Sequence, residues 1–449
     1  MHGKTVWQRT KMDRRNFLQR IAVGGSAIAA SPFVLRASEN RVFRTAIVGC
    51  GWWGKNILRE AVASGRCKIV GLADVDATVL EVASEQANDL TGESPRSYRD
   101  YRELLAKEKP EVVIIATPDH WHALNAVDAL KAGAHVFVEK PTAHAVNESR
   151  AVLKAAKEAG RVVQVGLHRR LGPHHVSGME FLRSGKVGKV GLVRLFANSG
   201  GGPENPSANE EPPDGMDWNS WCGPAPVRPF NKKLHPGGWR NFLDYGNGTL
   251  GDWGVHWLDQ VLWWSEEVYP KRIFCSGGRP IRGEPVNDNR GQTTDSPDHQ
   301  VATYEFEKFT CIWEHRKFGE NATEKHSVGA YFYGTNGLLH IGWRDGWTFY
   351  PNKRGEKELH EDSQLQEPDG HNLTLLWADF MTAIDSGRRA VSGIEVAHRS
   401  SVLPLLGMIS WRVGRSLEWD GARETIVNDP QAAALLTKKY RGPWVHPEV

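Results

Sequence analysis

The stretch "RTAIVGCGWWGKNILREAVAS", residues 44–64, decides the fold. A short apolar run reads as a β-strand, a glycine turn follows, and a helical pattern begins directly after it. The glycines are Gly49, Gly51 and Gly54, spaced G-x-G-x-x-G. Gly49 permits the tight turn, Gly51 lets a pyrophosphate approach the backbone, and Gly54 allows close helix–strand packing. The helix N-terminus then faces the phosphates. A second strand, "KIVGLAD", ends on Asp74. A carboxylate about 20 residues beyond the turn accepts ribose hydroxyls and repels a 2′-phosphate, so NAD is expected and NADP is disfavoured.

Outward from this unit the alternation continues through "EVVIIATPDHWHALNAVDALKAG", "HVFVEKPTAHAVNESRAVLKAAKEAG" and "RVVQVGLHRR". Continuous β-branched runs followed by amphipathic helices indicate buried parallel strands with crossover helices. Ligands bind at the carboxyl ends of such strands. "TPDHWH", Thr117–His122, ends one strand, and "EKP", Glu139–Pro141, ends the next.

A second unusual stretch is "GDWGVHWLDQVLWW", residues 251–264. Trp253, Trp257, Val261 and Trp264 form one apolar stripe, and Val255, Leu258 and Leu262 another. Asp252, His256 and Asp259 fall at i, i+4 and i+7, on one narrow polar face. That spacing predicts a single helix, buried by its tryptophans, whose polar stripe faces a cleft. Asp252 can orient His256 one turn on, or share contacts to a substrate hydroxyl.

Together the glycine turn, "TPDHWH", "EKP" and the D-x-x-x-H-x-x-D helix resemble the Gfo/Idh/MocA oxidoreductases, the glucose–fructose oxidoreductase and inositol dehydrogenase group. The resemblance implies an N-terminal Rossmann domain, a doubly wound parallel sheet, and a C-terminal α/β domain with a large open, mostly antiparallel sheet. It implies a sugar, polyol or related substrate. It also places Lys140 beside nicotinamide and substrate, with Asp252 and His256 in the active site, and needs no metal. Lys140, His256 and Asp252 are therefore the expected catalytic residues. His256 is the expected base and Lys140 the cation that stabilises the developing alkoxide. The cofactor-facing set is Gly49, Gly51, Trp52, Trp53, Gly54 and Asp74 from the first unit. Thr117, Pro118, His120, His122, Glu139 and Lys140 complete it from the later strand ends. Arg169 and Arg240 join Lys140, Asp252 and His256 as expected substrate contacts, with solvated surface roles equally open for both arginines. A homo-oligomer joined through the C-terminal sheet is expected.

After Gly166 the pattern changes. "KVGLVRLFANS", "RIFCSGGRP", "HQVATYEFEK", "FTCIWEHRKF", "HSVGAYFYGT" and "GLLHIGW" are short strands joined by turns. Helical patterns follow over residues 372–387 and 394–417. Residues 200–250 form the longest irregular stretch, which reads as a loop over the active site. Its Trp218, Trp221 and Trp239 either face the C–H side of a sugar ring or pin the loop to the sheet.

The chain has 449 residues, 40% apolar and 24% charged, with a formal net charge of +3. No Lys/Arg-rich tract concentrates that charge, so nucleic acid is not an expected partner. The five cysteines lack C-x-x-C spacing, which predicts buried free thiols. The histidines of "DHWH" and "GPHH" lack a recognisable ligand spacing, so no metal is expected. At the N-terminus, "DRRNFLQRIAVGGSAIAASPFVLRAS" resembles a twin-arginine export signal, with Arg14–Arg15 followed by Phe17 and Leu18. Its apolar run is too short and glycine-rich to span a bilayer. The expected organisation is a signal over 1–40, a Rossmann domain over 41–165 and a substrate domain over 166–449. The expected location is periplasmic or otherwise exported. An enzyme exported with one NAD must regenerate it in place. Three activities are open: sugar or polyol oxidoreduction, redox-neutral glycoside hydrolysis through a transient keto-sugar, and sugar binding or sensing with NAD as a structural part.

Overall fold

The computed structural model describes residues 41–365 and 367–449. The twin-arginine signal and its 1–40 segment lie outside the described residues. Within them, the first half alternates strand and helix: β1 (Phe43–Val48), α1 (Trp52–Ala63), β2 (Cys67–Ala73), α2 (Ala77–Thr91), β3 (Arg96–Tyr98), α3 (Tyr101–Glu108), β4 (Val112–Ile115), α4 (Asp119–Lys131), β5 (His135–Val138), α5 (Val146–Ala159) and β6 (Val163–Val165). The six strands form a parallel sheet in the order β3-β2-β1-β4-β5-β6. Val112, Val113, Ile114 and Ile115 are each 0% exposed, as a central strand covered on both faces requires.

The sheet's second face is not closed by its own half of the chain. Helix α10 (Pro368–Ser386), from late in the chain, brings Leu376, Trp377 and Phe380 against Phe43 and Phe137. The Trp377 and Phe380 rings lie 5.4 and 5.9 Å from that of Phe137. Arg66 pairs with both oxygens of Asp385. The parallel sheet therefore depends on a helix from far beyond residue 165, which no local pattern announces.

The second half follows α6 (Pro173–Arg183) with β7 (Val190–Asn198), short helix α7 (Trp218–Cys222), α8 (Gly248–Asp252), α9 (Gly254–Ser265), β8 (Arg272–Gly278) and the small pair β9 (Asn287–Asp288) and β10 (Gly291–Gln292). Then come β11 (His299–Glu305), β12 (Thr310–Arg316), β13 (Val328–Gly334), β14 (Gly337–Gly342), β15 (Trp347–Pro351), β16 (Leu359–Glu361), α10, α11 (Ile394–Val413), β17 (Leu417–Asp420), β18 (Thr425–Ile426) and α12 (Pro430–Ala434). Ten strands form one open sheet, ordered β16-β15-β14-β13-β7-β12-β11-β8-β17-β18. β7 and β12 pair in parallel and their other neighbours antiparallel. Helices α9 and α11 cover one face, where Trp257, Leu258, Trp313, Leu403 and Leu406 form the core.

The expected single helix over 251–264 is two helices, α8 and α9, meeting at Trp253. The break matters: Asp252 ends the first helix and His256 lies in the opening turn of the second. Asp259 leaves the cleft face altogether. It accepts three hydrogen bonds from Arg170 and one from Ser400 Oγ inside the core. No helix among the described residues is long and apolar enough to cross a membrane. All five cysteines are buried and unpaired.

Candidate active site

A cleft of about 1200 Å³ runs between the carboxyl ends of the parallel strands and the second sheet. Its nucleotide end is built by the glycine turn. Gly49 has φ +87°, and a Cβ there would lie 2.6 Å from Thr117 N. A Cβ on Gly54 would sit 2.0 Å from the Gly49 carbonyl oxygen, so Gly54 serves the packing of α1 and does not line the cleft. No side chain caps α1, whose N-cap is Gly51, and the turn lies at the cleft wall. Asp74 Oδ2 accepts the Cys50 N–H at 2.7 Å and Oδ1 the Asp76 N–H at 3.0 Å. An ionised carboxylate has about four acceptor positions, so two remain for a ribose. Arg99, beside it, donates to the carbonyls of Gly215 and Val75, and Arg102 to Asp100. Arg102 is thus paired with a carboxylate, and Arg99 is held by two backbone carbonyls. A dinucleotide without a 2′-phosphate fits this end.

The reaction end gathers residues from both halves. Lys140 and Asp252 meet there: Lys140 Nζ donates to Asp252 Oδ1 at 2.5 Å and to the Asp252 carbonyl at 3.0 Å. Arg240 Nε lies 3.4 Å from the same Oδ1. Burial raises the Asp252 pKa, but Lys140 and Arg240 outweigh it and hold the carboxylate at about 2. His256 lines the cleft and is not hydrogen-bonded to Asp252, so the expected orienting contact is absent, and Asp252 is paired with Lys140 instead. Burial first, then the charges of Lys140, His168 and Arg169, push the His256 pKa well below its ordinary value. Its ring lies 5.1 Å from that of Trp343 and 5.5 Å from that of His168.

The other expected positions separate into cleft and support. Trp52, Trp53, Thr117, Pro118, Glu139 and Arg240 line the cleft. His120 and His122 do not. His120 Nε2 contacts the Trp221 carbonyl at 3.0 Å, and burial lowers its pKa to about 3. The His122 ring lies between the carbonyl oxygens of Pro141 and Thr117, joining the ends of β4 and β5. Arg169 is 1% exposed and does not line the cleft; its guanidinium lies 3.5 Å from the centroid of the Trp343 ring and donates to the Trp343 carbonyl. Arg169 thus supports a cleft-lining tryptophan from behind, and Arg170 is held by Asp259.

The 200–250 segment forms a strap. Asp217 N donates to Val75 O at 2.9 Å and Ala77 N to Gly215 O at 3.1 Å, directly beyond Asp74. Trp218 and Trp221 stack at 4.5 Å, and both are buried with Phe230, Trp239, Phe242 and Tyr245. These tryptophans pin the strap, although Trp221 and Trp239 also present an edge to the cleft. Arg441 holds the strap from outside through Asn219, Gly223 and Ala225.

Two groups escaped the sequence reading. Asp119 lines the cleft although it stands inside the quoted "TPDHWH", one position after Pro118. The rule that selects strand ends applies to it as much as to Thr117. Trp343 and the His326–Asp345 pair come from around β13–β15, where no local pattern points to a cleft. His340 stacks on His326 with centroids 3.6 Å apart and planes 21° apart. His326, His340 and Asp345 are ligand types for a metal, and one ligand atom from each lies within 4.8 Å of the others.

Comparison with known proteins places these features in context. Residues 43–167 match the family model described as oxidoreductase family, NAD-binding Rossmann fold. Residues 199–273 and 358–446 match its C-terminal alpha/beta domain. The chain is 34% identical over 128 residues to an inositol 2-dehydrogenase of Rubrobacter xylanophilus, covering 28% of this chain and 35% of that protein. It is 29% identical over 221 residues to a levoglucosan dehydrogenase of Pseudarthrobacter phenanthrenivorans, covering 46% and 50%. The chain thus spans half or less of the curated relatives it matches. Among solved structures, an aldose–aldose oxidoreductase from Caulobacter crescentus, complexed with glycerol, superposes with a TM-score of 0.61 at 19% identity. That match covers 84% of this chain and 100% of the other.

Proposed function

Because the chain belongs to the Gfo/Idh/MocA oxidoreductase family, we propose that it moves a hydride between NAD and a hydroxyl-bearing carbon of a sugar, polyol or glycoside. The observation that carries this reading is the Lys140–Asp252 contact, which joins a strand end of the NAD-binding domain to the second domain inside the cleft. NAD, when bound, supplies the hydride acceptor in one direction and the donor in the other. The glycine turn, Asp74, Thr117 and Pro118 would hold it. The chain's own residues do the rest.

An ammonium has three protons. Lys140 places two on Asp252, at Oδ1 and the backbone oxygen, and the third remains for a substrate oxygen. There it stabilises negative charge as the hydroxyl gives up its proton. Asp252, ionised throughout the working range, keeps Lys140 aimed. The neutral ring of His256 accepts the substrate hydroxyl through an unprotonated nitrogen. Arg240 neutralises the remaining charge on Asp252.

The strap supports a retained cofactor. Its hydrogen bonds to Val75 and Ala77 close the ribose end, and its buried aromatic cluster resists opening. Retention suits a chain exported with its nucleotide, as Arg14 and Arg15 suggest, to a periplasmic or other extracytoplasmic site. An enclosed cofactor must be recycled in place. The same strap therefore favours a second reading, net hydrolysis of a glycoside through a transient keto-sugar. A homo-oligomer would form on the sheet's outer face, where Phe274 is 45% and Tyr333 36% exposed. The experiment is purified full-length protein with a panel of polyols, sugars and glycosides. NADH accumulation means dehydrogenation, free sugar without net NADH means hydrolysis, and neither outcome across the panel refutes both.

A further inference from the structure

His340 lies in β14 and is 0% exposed, yet neither of its ring nitrogens has a hydrogen-bond partner among the described residues. Buried polar groups in folded proteins almost always have partners. Its neighbours hold the ring without bonding it: the Tyr331 ring lies 5.0 Å away, and a Cβ on Gly329 would stand 2.7 Å from its Nε2. His326, just before β13, stacks on it. His326 Nδ1 meets Asp345 Oδ2 at 2.5 Å, and its Nε2 is also buried without a partner. Asp345 stands in the turn between β14 and β15, with its carboxylate folded over Gly342, where a Cβ would collide with Oδ1. Three buried nitrogens without partners thus lie beside a carboxylate, and two glycines leave room for the groups that carry them.

We propose that His326, His340 and Asp345 bind one divalent transition-metal ion, of the zinc class, in the wall of the cleft. Imidazole and carboxylate together suit such an ion. One ligand atom from each residue already lies within 4.8 Å of the others. Ligand atoms about 2.1 Å from one tetrahedral ion stand about 3.4 Å apart, so the set closes on an ion with shifts of about 1 Å. The two rings are 21° from parallel, so one must turn to aim its nitrogen at the ion. His326 is that ring, because it precedes β13, whereas His340 is paired in the sheet with Tyr331 and Thr348. The ion then takes the place of the hydrogen that joins His326 to Asp345. Burial first, then His326, lowers the His340 pKa, which leaves its ring neutral, the form that ligates.

None of these residues belongs to "DHWH" or "GPHH", and the ion takes no part in hydride transfer, so the proposal stands apart from that reading. His326 and Asp345 line the cleft, and three protein ligands leave a fourth position for water. The ion ties the start of β13 to the turn that carries Trp343, two residues before Asp345. Trp343 lines the cleft 5.1 Å from the His256 ring, so the ion fixes one wall of the reaction end.

The test uses full-length, untagged protein stripped with a chelator and titrated with Co2+, whose visible absorption reports its coordination. The wild type should bind one Co2+ per chain with the strong visible bands of a four-coordinate site, and spectroscopically silent Zn2+ should displace it. His340→Ala, His326→Ala and Asp345→Asn should each weaken Co2+ binding at least about 10-fold, since loss of even an outer partner of a metal ligand costs that much. NAD titration of each variant shows that it is folded, and its affinity should be unchanged. His326→Ala and Asp345→Asn carry the comparison if His340→Ala does not fold, because both residues lie at the cleft wall and not inside the sheet. Absence of the Co2+ bands in the wild type, or wild-type Co2+ affinity in any folded variant, overturns the proposal.

Discussion

Lys140 and Asp252 are held together at two points, side chain to side chain and side chain to backbone. Asp252 is the last residue of a short helix, and Lys140 stands two residues beyond Val138, the last residue of β5. The pair ties the domain that binds nucleotide to the domain that covers it. Lys140→Ala should leave the fold and the nucleotide site intact, because Asp252 keeps Arg240 as a partner. Loss of one charged donor to a developing oxyanion should lower kcat about 100- to 1000-fold. Steady-state rates beside nucleotide titration check this; a near-wild-type kcat refutes the role.

The same pair sets an acid limit. Asp252 is pulled from 3.8 to about 2 in the folded protein, so its contribution is complete above about pH 4 and lost as pH falls toward 2. The size of that contribution is about 2 kcal/mol. Urea unfolding of wild type and Asp252→Asn should differ by about this amount at pH 6 and converge toward pH 2. Parallel curves at both pH values would contradict the assignment.

At the other end of the cleft, Asp74 accepts two backbone N–H groups and still faces the ribose. NAD should bind more tightly than NADP, and Asp74→Ser should narrow the gap. Absolute NAD affinity should fall too, since the Cys50 N–H loses its carboxylate. Competitive binding of the two nucleotides to stripped protein measures both effects.

Asp259 makes a structural prediction. Removing it leaves the buried Arg170 guanidinium without its carboxylate, which costs about 3–5 kcal/mol. Asp259→Ala should therefore unfold at much lower urea concentration, while its folded fraction turns over substrate with little change in KM. A large KM effect with unchanged stability would return Asp259 to the cleft.

Asp259 also shows where the sequence stops being legible. Period alone placed it on one face with Asp252 and His256. The helix breaks at Trp253, and the face rotates so that only the first two reach the cleft. The glycine turn, Asp74 and the strand-end motifs were readable because each is local: spacing and chain direction suffice. The six central strands of the second sheet were readable from turns and alternation, whereas β15–β18 are short and carry weak signals. The contribution of α10 to the nucleotide domain was not readable, because no local pattern says which sheet a helix will cover. Arg169 shows the same limit at a single side chain, since its partner Trp343 lies in a distant turn.

The strap predicts slow nucleotide exchange. Arg441→Ala removes four contacts to strap atoms and should speed nucleotide release several-fold without altering the reaction end. Release rates from desalted protein, followed by nucleotide fluorescence, check this; unchanged release would separate retention from the strap.

The most direct test of NAD-dependent hydride transfer with a retained cofactor is a single-turnover measurement on protein washed free of loose nucleotide. The washed wild type should release close to one NAD or NADH per chain on denaturation. Before denaturation, its bound oxidised nucleotide should become reduced when a sugar, polyol or glycoside substrate is added, and remain oxidised in Lys140→Ala. A nucleotide yield near zero, or no reduction of bound NAD by any member of the panel, would contradict the account.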